Sequence, residues 1–160
     1  MSTTTNPTSI TADTALPVIR IEREFDAPVE KVFRAHTEAD LVKQWLGPRR
    51  LTMTIDRFDA VTGGGYRYRH ADDSGTYSFY GSFHEVRPNS RIVQTFTYEG
   101  FPDGVCLETM TFEDLGGGRT RLVGTSTFES TEGRDAAMAS GMEVGVDEGY
   151  EQLDELLARL

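Results

Sequence analysis

The chain has 160 residues, a formal net charge of -10 and a single cysteine, enough length to bury one core without a metal or a disulfide. Lone Cys106 excludes an internal disulfide, and the acidic balance excludes a phosphate-backbone partner, which would need clustered Lys and Arg. Nothing approaches the roughly 20 apolar residues of a membrane span, and Met1 to Pro17 lacks the basic and apolar segments of a leader, so a cytoplasmic protein with no nucleic acid and no membrane insertion is expected.

In chain order, residues 1–16 are mostly Ser, Thr, Asn and Asp and are expected to form a flexible tail ahead of a single domain over 17–160. Ile19, Ile21 and Phe25 alternate with Arg20, Glu22 and Glu24, the period of a half-buried strand. Asp26-Ala27-Pro28 supplies a cap and a first-turn proline, and Val29, Val32, Phe33 and His36 share one helical face. Thr37 and Asp40 have the spacing of a capping box, and Leu41, Val42, Trp45 and Leu46 form the apolar side of a second short helix ended by Gly47-Pro48. From Leu51 the period becomes two. Turn residues at Gly63 to Gly65, Asp72 to Gly75, Pro88 to Ser90, Pro102 to Gly104 and Gly116 to Gly118 divide the chain into six strands near 50–60, 65–70, 76–86, 91–99, 105–114 and 119–128. Short connections imply an antiparallel meander. Residues from Thr131 to Leu160 return to helical spacing, and about 27 of them would span roughly 40 Å.

The stripe this last helix turns to the sheet holds Met138, Gly141, Met142, Gly145 and Gly149 before Leu153, Leu156 and Leu160. Interior glycines each cost about 1 kcal/mol relative to alanine, so they imply either close packing of the helix or space left for a guest. Strand residues Tyr66, Tyr68, Phe79, Phe83, Phe96, Tyr98, Met110 and Phe112 offer the facing wall, with Trp45 at the end of the helix pair and Tyr150 on the last helix. The same residues would equally make an ordinary core. Strand facing decides between them, and a bulge would exchange the inward and outward sets.

Several motifs together resemble the superfamily of START-related, polyketide-cyclase and birch-pollen-allergen-like (SRPBCC) proteins, in the branch named after the activator homologue of the heat-shock chaperone ATPase. They are Arg23-Glu24-Phe25-Asp26-Ala27-Pro28-Val29, Trp45 with Gly47-Pro48, Gly63-Gly64-Gly65-Tyr66, and Gly81-Ser82-Phe83-His84-Glu85-Val86 followed by Pro88 and Arg91-Ile92-Val93. Gly117-Gly118-Arg119-Thr120-Arg121-Leu122 and Gly149-Tyr150-Glu151-Gln152-Leu153 complete the set, the last with Tyr150 where the family often has Trp. The resemblance implies an α+β helix-grip fold: a seven-stranded antiparallel sheet wrapped around a long C-terminal helix, with two short helices after the first strand. It also implies a cavity between sheet and helix, in a family whose members include carriers, cyclases, resistance proteins and chaperone regulators.

The chemistry expected is binding of a small hydrophobic or aromatic molecule, with His84, Gly141 and Gly145 joining the walls named above. His36, His70, His84 and Cys106 lack any metal-ligand spacing, so neither metal nor cofactor is expected. Ser78 and Ser82 lie near His84 without a nucleophile elbow, and the glycine runs lack the lysine of a phosphate loop. No catalytic residue is assigned. His84, Tyr98, Glu108 and Arg69 are the groups that would serve acid/base work, in a cyclase or dehydratase acting on a polyketide-like substrate. Acidic residues of the last helix, such as Glu143, Asp147 and Glu151, fit a solvated face or a chaperone-type protein contact. A homodimer is compatible with the sequence.

Overall fold

The computed structural model describes residues 6–160, so the first five residues of the expected tail lie outside the described residues. Strands β1 (Ser9–Ala12) and β2 (Val18–Phe25) precede helices α1 (Val29–Thr37) and α2 (Ala39–Val42). Then follow β3 (Thr52–Phe58), β4 (Gly65–Asp72), β5 (Gly75–Arg87), β6 (Arg91–Tyr98), β7 (Cys106–Gly116) and β8 (Arg119–Thr127), and finally α3 (Thr131–Ala139) and α4 (Met142–Leu157). All strands pair antiparallel in one sheet of order β1-β2-β8-β7-β6-β5-β4-β3. The meander expected from the turns is present, with its strand boundaries displaced by only a few residues.

Three expectations differ from the structure. Among the described residues the sheet has eight strands rather than seven, because Ser9–Ala12 of the expected tail adds to β2 in register with Ile19 to Glu22. Polar composition hid this edge strand; what secures it is remote. Buried Arg134 donates from α3 to the carbonyls of Asp13, Leu16 and Val18 at 2.8, 2.9 and 3.0 Å, satisfying the turn between β1 and β2. The long C-terminal helix is also two helices, broken where Gly141 adopts φ 85°, a conformation that glycine reaches without the steric cost a Cβ would add. Ser130 caps α3 by accepting from the Gly133 amide at 3.0 Å. The side-chain caps expected before α1 and α2 do not form; the Asp26 carboxylate instead accepts from Arg119 at 3.0 Å.

The core lies where α1 and the C-terminal half of α4 meet the sheet. Phe25, Val32, Phe33, Phe83, Ile92, Phe112, Leu122, Leu153 and Leu156 are buried in one cluster, each large side chain contributing about 1.5–3 kcal/mol of burial. Trp45 donates its indole N–H to the Ala35 carbonyl at 2.9 Å, fixing the end of the helix pair. A Cβ on Gly149 would lie 3.2 Å from the Trp45 carbonyl and 3.3 Å from the Gly47 amide, so at this glycine the close-packing reason holds. Gln152 secures the same contact by donating to the Gly47 carbonyl at 2.9 Å. No helix among the described residues is long and apolar enough to cross a membrane.

Candidate functional site

Strand register builds the site from period two. On β7 the residues Cys106, Glu108, Met110 and Phe112 face inward; their partners on β6 are Phe96, Gln94 and Ile92, and on β8 Ser126, Gly124 and Leu122. The row Ile92–Met110–Gly124–Ile21 is followed by the row Gln94–Glu108–Ser126–Ile19. Toward the core end this inner face is sealed, with Ile92, Leu122 and Phe112 buried. At mid-strand it is not: Glu108, Met110, Phe79, Phe96 and, from α4, Tyr150 keep accessible surface while pointing away from the outer face.

Aromatic rings on the sheet and on the helices form two runs of contacts. Tyr66 stacks on Tyr68 at 5.8 Å, Tyr68 meets Phe79 at 5.4 Å, and Phe79 stacks on Phe96 at 5.2 Å. From the helical side Tyr150 stacks on Trp45 at 6.1 Å and meets Phe25 edge-on at 5.4 Å. Among them lies one carboxyl. Glu108 accepts from Gln94 at 2.9 Å and has Ser126 as its register partner on β8; Gln94 also reaches the Tyr66 hydroxyl at 3.4 Å, which donates to the Thr95 carbonyl at 2.6 Å. Burial raises the Glu108 pKa above the ordinary carboxylate value, opposed by its polar neighbours Gln94 and Ser126. Burial, and then Glu108, raise Tyr66, Tyr68 and Tyr150 as well and push the Cys106 thiol up to about 12, so Cys106 is no nucleophile at neutral pH.

Arg23 is the cation of the inner face on β2, and it is already engaged. It is fully buried, donates to both oxygens of Asp154 on α4 at 2.9 and 2.6 Å, and lies 4.9 Å over the Phe25 ring. This pair pins α4 to β2. Among the described residues Glu108 has no ion-pair partner.

The structure thus places Tyr66, Tyr68, Phe79, Phe96 and Met110 on the inner side of the sheet and Tyr150 on α4, with Phe83, Phe112 and Trp45 buried in the core and Tyr98 39% exposed. It does not bring His84 there. The β5–β6 register shifts between Phe83 and Glu85, and His84 is exposed on that bulge. Gly141 is the exposed helix break, Gly145 faces Pro48 at 3.5 Å, and Met138 and Met142 are half-buried on either side of the break. Arg69 pairs with Asp56 at 3.0 Å. Gln94, Ser126 and Gly124 escaped the sequence reading, although the period-two spacing of β6 and β8 around Glu108 was a usable signal. An open depression of about 660 Å³ on the outer face, around Arg67 and Glu99, is a poorer site, because Arg67 is already paired with Glu99 and Asp56.

The family described as Activator of Hsp90 ATPase homolog 1-like protein matches residues 26–158. The chain belongs to this family. Its solved relatives include a crystal structure from Rhodobacter sphaeroides, 29% identical with TM-score 0.85, covering 95% of this chain and 99% of that one. A solution structure from Arthrobacter aurescens is 27% identical with TM-score 0.86 over 95% and 92% of the two chains, and a protein from Chromobacterium violaceum is 26% identical with TM-score 0.75 over 87% and 96%. No curated protein matches the chain. The family shares the SRPBCC architecture, a fold that commonly binds small hydrophobic ligands.

Proposed function

We propose that this protein binds a small, largely apolar molecule between the sheet and α4, in a reducing, cytoplasmic setting suited to its single buried thiol. The observation that carries this reading is the unsealed middle of the inner face, where Met110, Phe79, Phe96 and Tyr150 retain accessible surface above a sealed core. Aromatic rings and a methionine give such a site broad apolar affinity, and a few polar groups orient the guest. A cyclase or dehydratase would draw on the same space, with Glu108 as its one proton donor; the lack of an activated nucleophile near it favours binding without turnover.

Gly124 provides the test. A Cβ there meets only Ile21, at 3.9 Å, so Gly124→Leu enters the space beside Met110 without a backbone clash. Titration of the wild type with prodan, a neutral environment-sensitive naphthalene, is expected to give a saturable blue shift, and Gly124→Leu to lose it with its thermal midpoint unchanged or raised. A saturable shift that survives unchanged in Gly124→Leu would place binding elsewhere.

A further inference from the structure

We propose that the natural guest is an amphipathic amine, whose apolar body lies on the aromatic wall and whose ammonium group pairs with Glu108. This rests on the binding reading above and narrows it to a ligand class. Three observations converge on it. Glu108 sits at mid-strand on β7 with one oxygen engaged by Gln94 at 2.9 Å, in the inward row that continues into Ser126 and Ile19. No Lys, Arg or His among the described residues forms an ion pair with it, and Arg23 spends its charge on Asp154. Aromatic side chains stand beside it: the Tyr66 hydroxyl shares Gln94 with Glu108, at 3.4 Å, and Tyr68 stacks on Tyr66 at 5.8 Å. An anionic centre beside aromatic rings selects a cation over an anion or a neutral group, since ring faces attract positive charge and a carboxylate repels another. A carboxylic acid ligand would bring a second negative charge into the same enclosure.

Burial raises the Glu108 pKa above the ordinary carboxylate value, and an arriving ammonium, which favours the carboxylate, lowers it again.

The experiment is calorimetric titration of the wild type with naphthylmethylamine, naphthylmethanol and naphthoate at neutral pH. The amine is expected to bind about tenfold or more tightly than the alcohol, and to outrank naphthoate by more. Glu108→Gln is expected to bring amine and alcohol to equal affinity. Equal binding of all three probes, or an amine preference that survives Glu108→Gln, would overturn the amine assignment while leaving apolar binding intact. Binding of none would overturn both. The ranking of the three probes on the wild type stands alone should the variant fold poorly, and an amine bound no more tightly than the alcohol would count against the proposal.

Discussion

His36 lies on α1 with its ring 4.8 Å from Trp45 and 5.1 Å from Phe112, and its Nδ1 donates to the Val32 carbonyl at 2.7 Å. Its Nε2 is buried with no hydrogen-bond partner. Burial lowers its pKa from the ordinary 6.5 to about 4, opposed by the Val32 bond. The folded state therefore keeps the ring neutral where the unfolded chain protonates it. A depressed histidine contributes stability that is intact above the unfolded value and lost as pH falls toward the folded one. Linkage gives a loss of about 2 kcal/mol between pH 7 and pH 5, reaching about 3 kcal/mol at pH 4. Urea unfolding of the wild type and His36→Phe, followed through Trp45 fluorescence at each pH, isolates this contribution, because every other titrating group is common to both proteins. The wild type is expected to lose about 2 kcal/mol more than the variant from pH 7 to pH 5. Parallel stability curves would show that His36 is hydrated or partnered in the native state and would refute the reasoning.

Two further outcomes follow from the inner-face charges. Asp154→Ala leaves fully buried Arg23 without its carboxylate and should cost about 3–5 kcal/mol in urea unfolding, whereas replacing both residues by leucine should recover most of the loss. Glu108 has a folded pKa raised above its ordinary 4.5, so its contribution is complete below that value and lost as pH rises through the folded one. Glu108→Gln should match the wild type in thermal or urea midpoint near pH 4 and exceed it at pH 8, by up to about 1.4 kcal/mol per pH unit across the window.

Strand periodicity and turn chemistry carried most of the fold. Glycine runs and Asp72 to Gly75 marked hairpins because they supply conformations and side-chain bonds that strands cannot, and Gly116, Gly117 and Gly118 all have positive φ. Beyond reach were features fixed by remote contacts. β1 depends on Arg134, more than a hundred residues away, and the break at Gly141 interrupts a stripe whose spacing alone continues through it. At the site, aromatic residues were legible because their alternation matches the inward face. His84 was misplaced because it follows Phe83, and the period of two that buries Phe83 turns its neighbour outward, so the two cannot share a wall. Gln94, Ser126 and Gly124 were invisible singly, and acquire meaning only through a register that sets them in rows with Glu108 and Met110.

The most direct test of the central claim, a guest between the sheet and α4, is a proton–carbon correlation spectrum of protein labelled at its methionine methyl groups. Five methionines give five reporters, of which Met110 lies at the unsealed middle of the inner face. Titration with neutral naphthylmethanol is expected to move the Met110 methyl strongly upfield by ring-current shielding. Saturable binding that shifts other methionines while Met110 stays fixed would contradict the account.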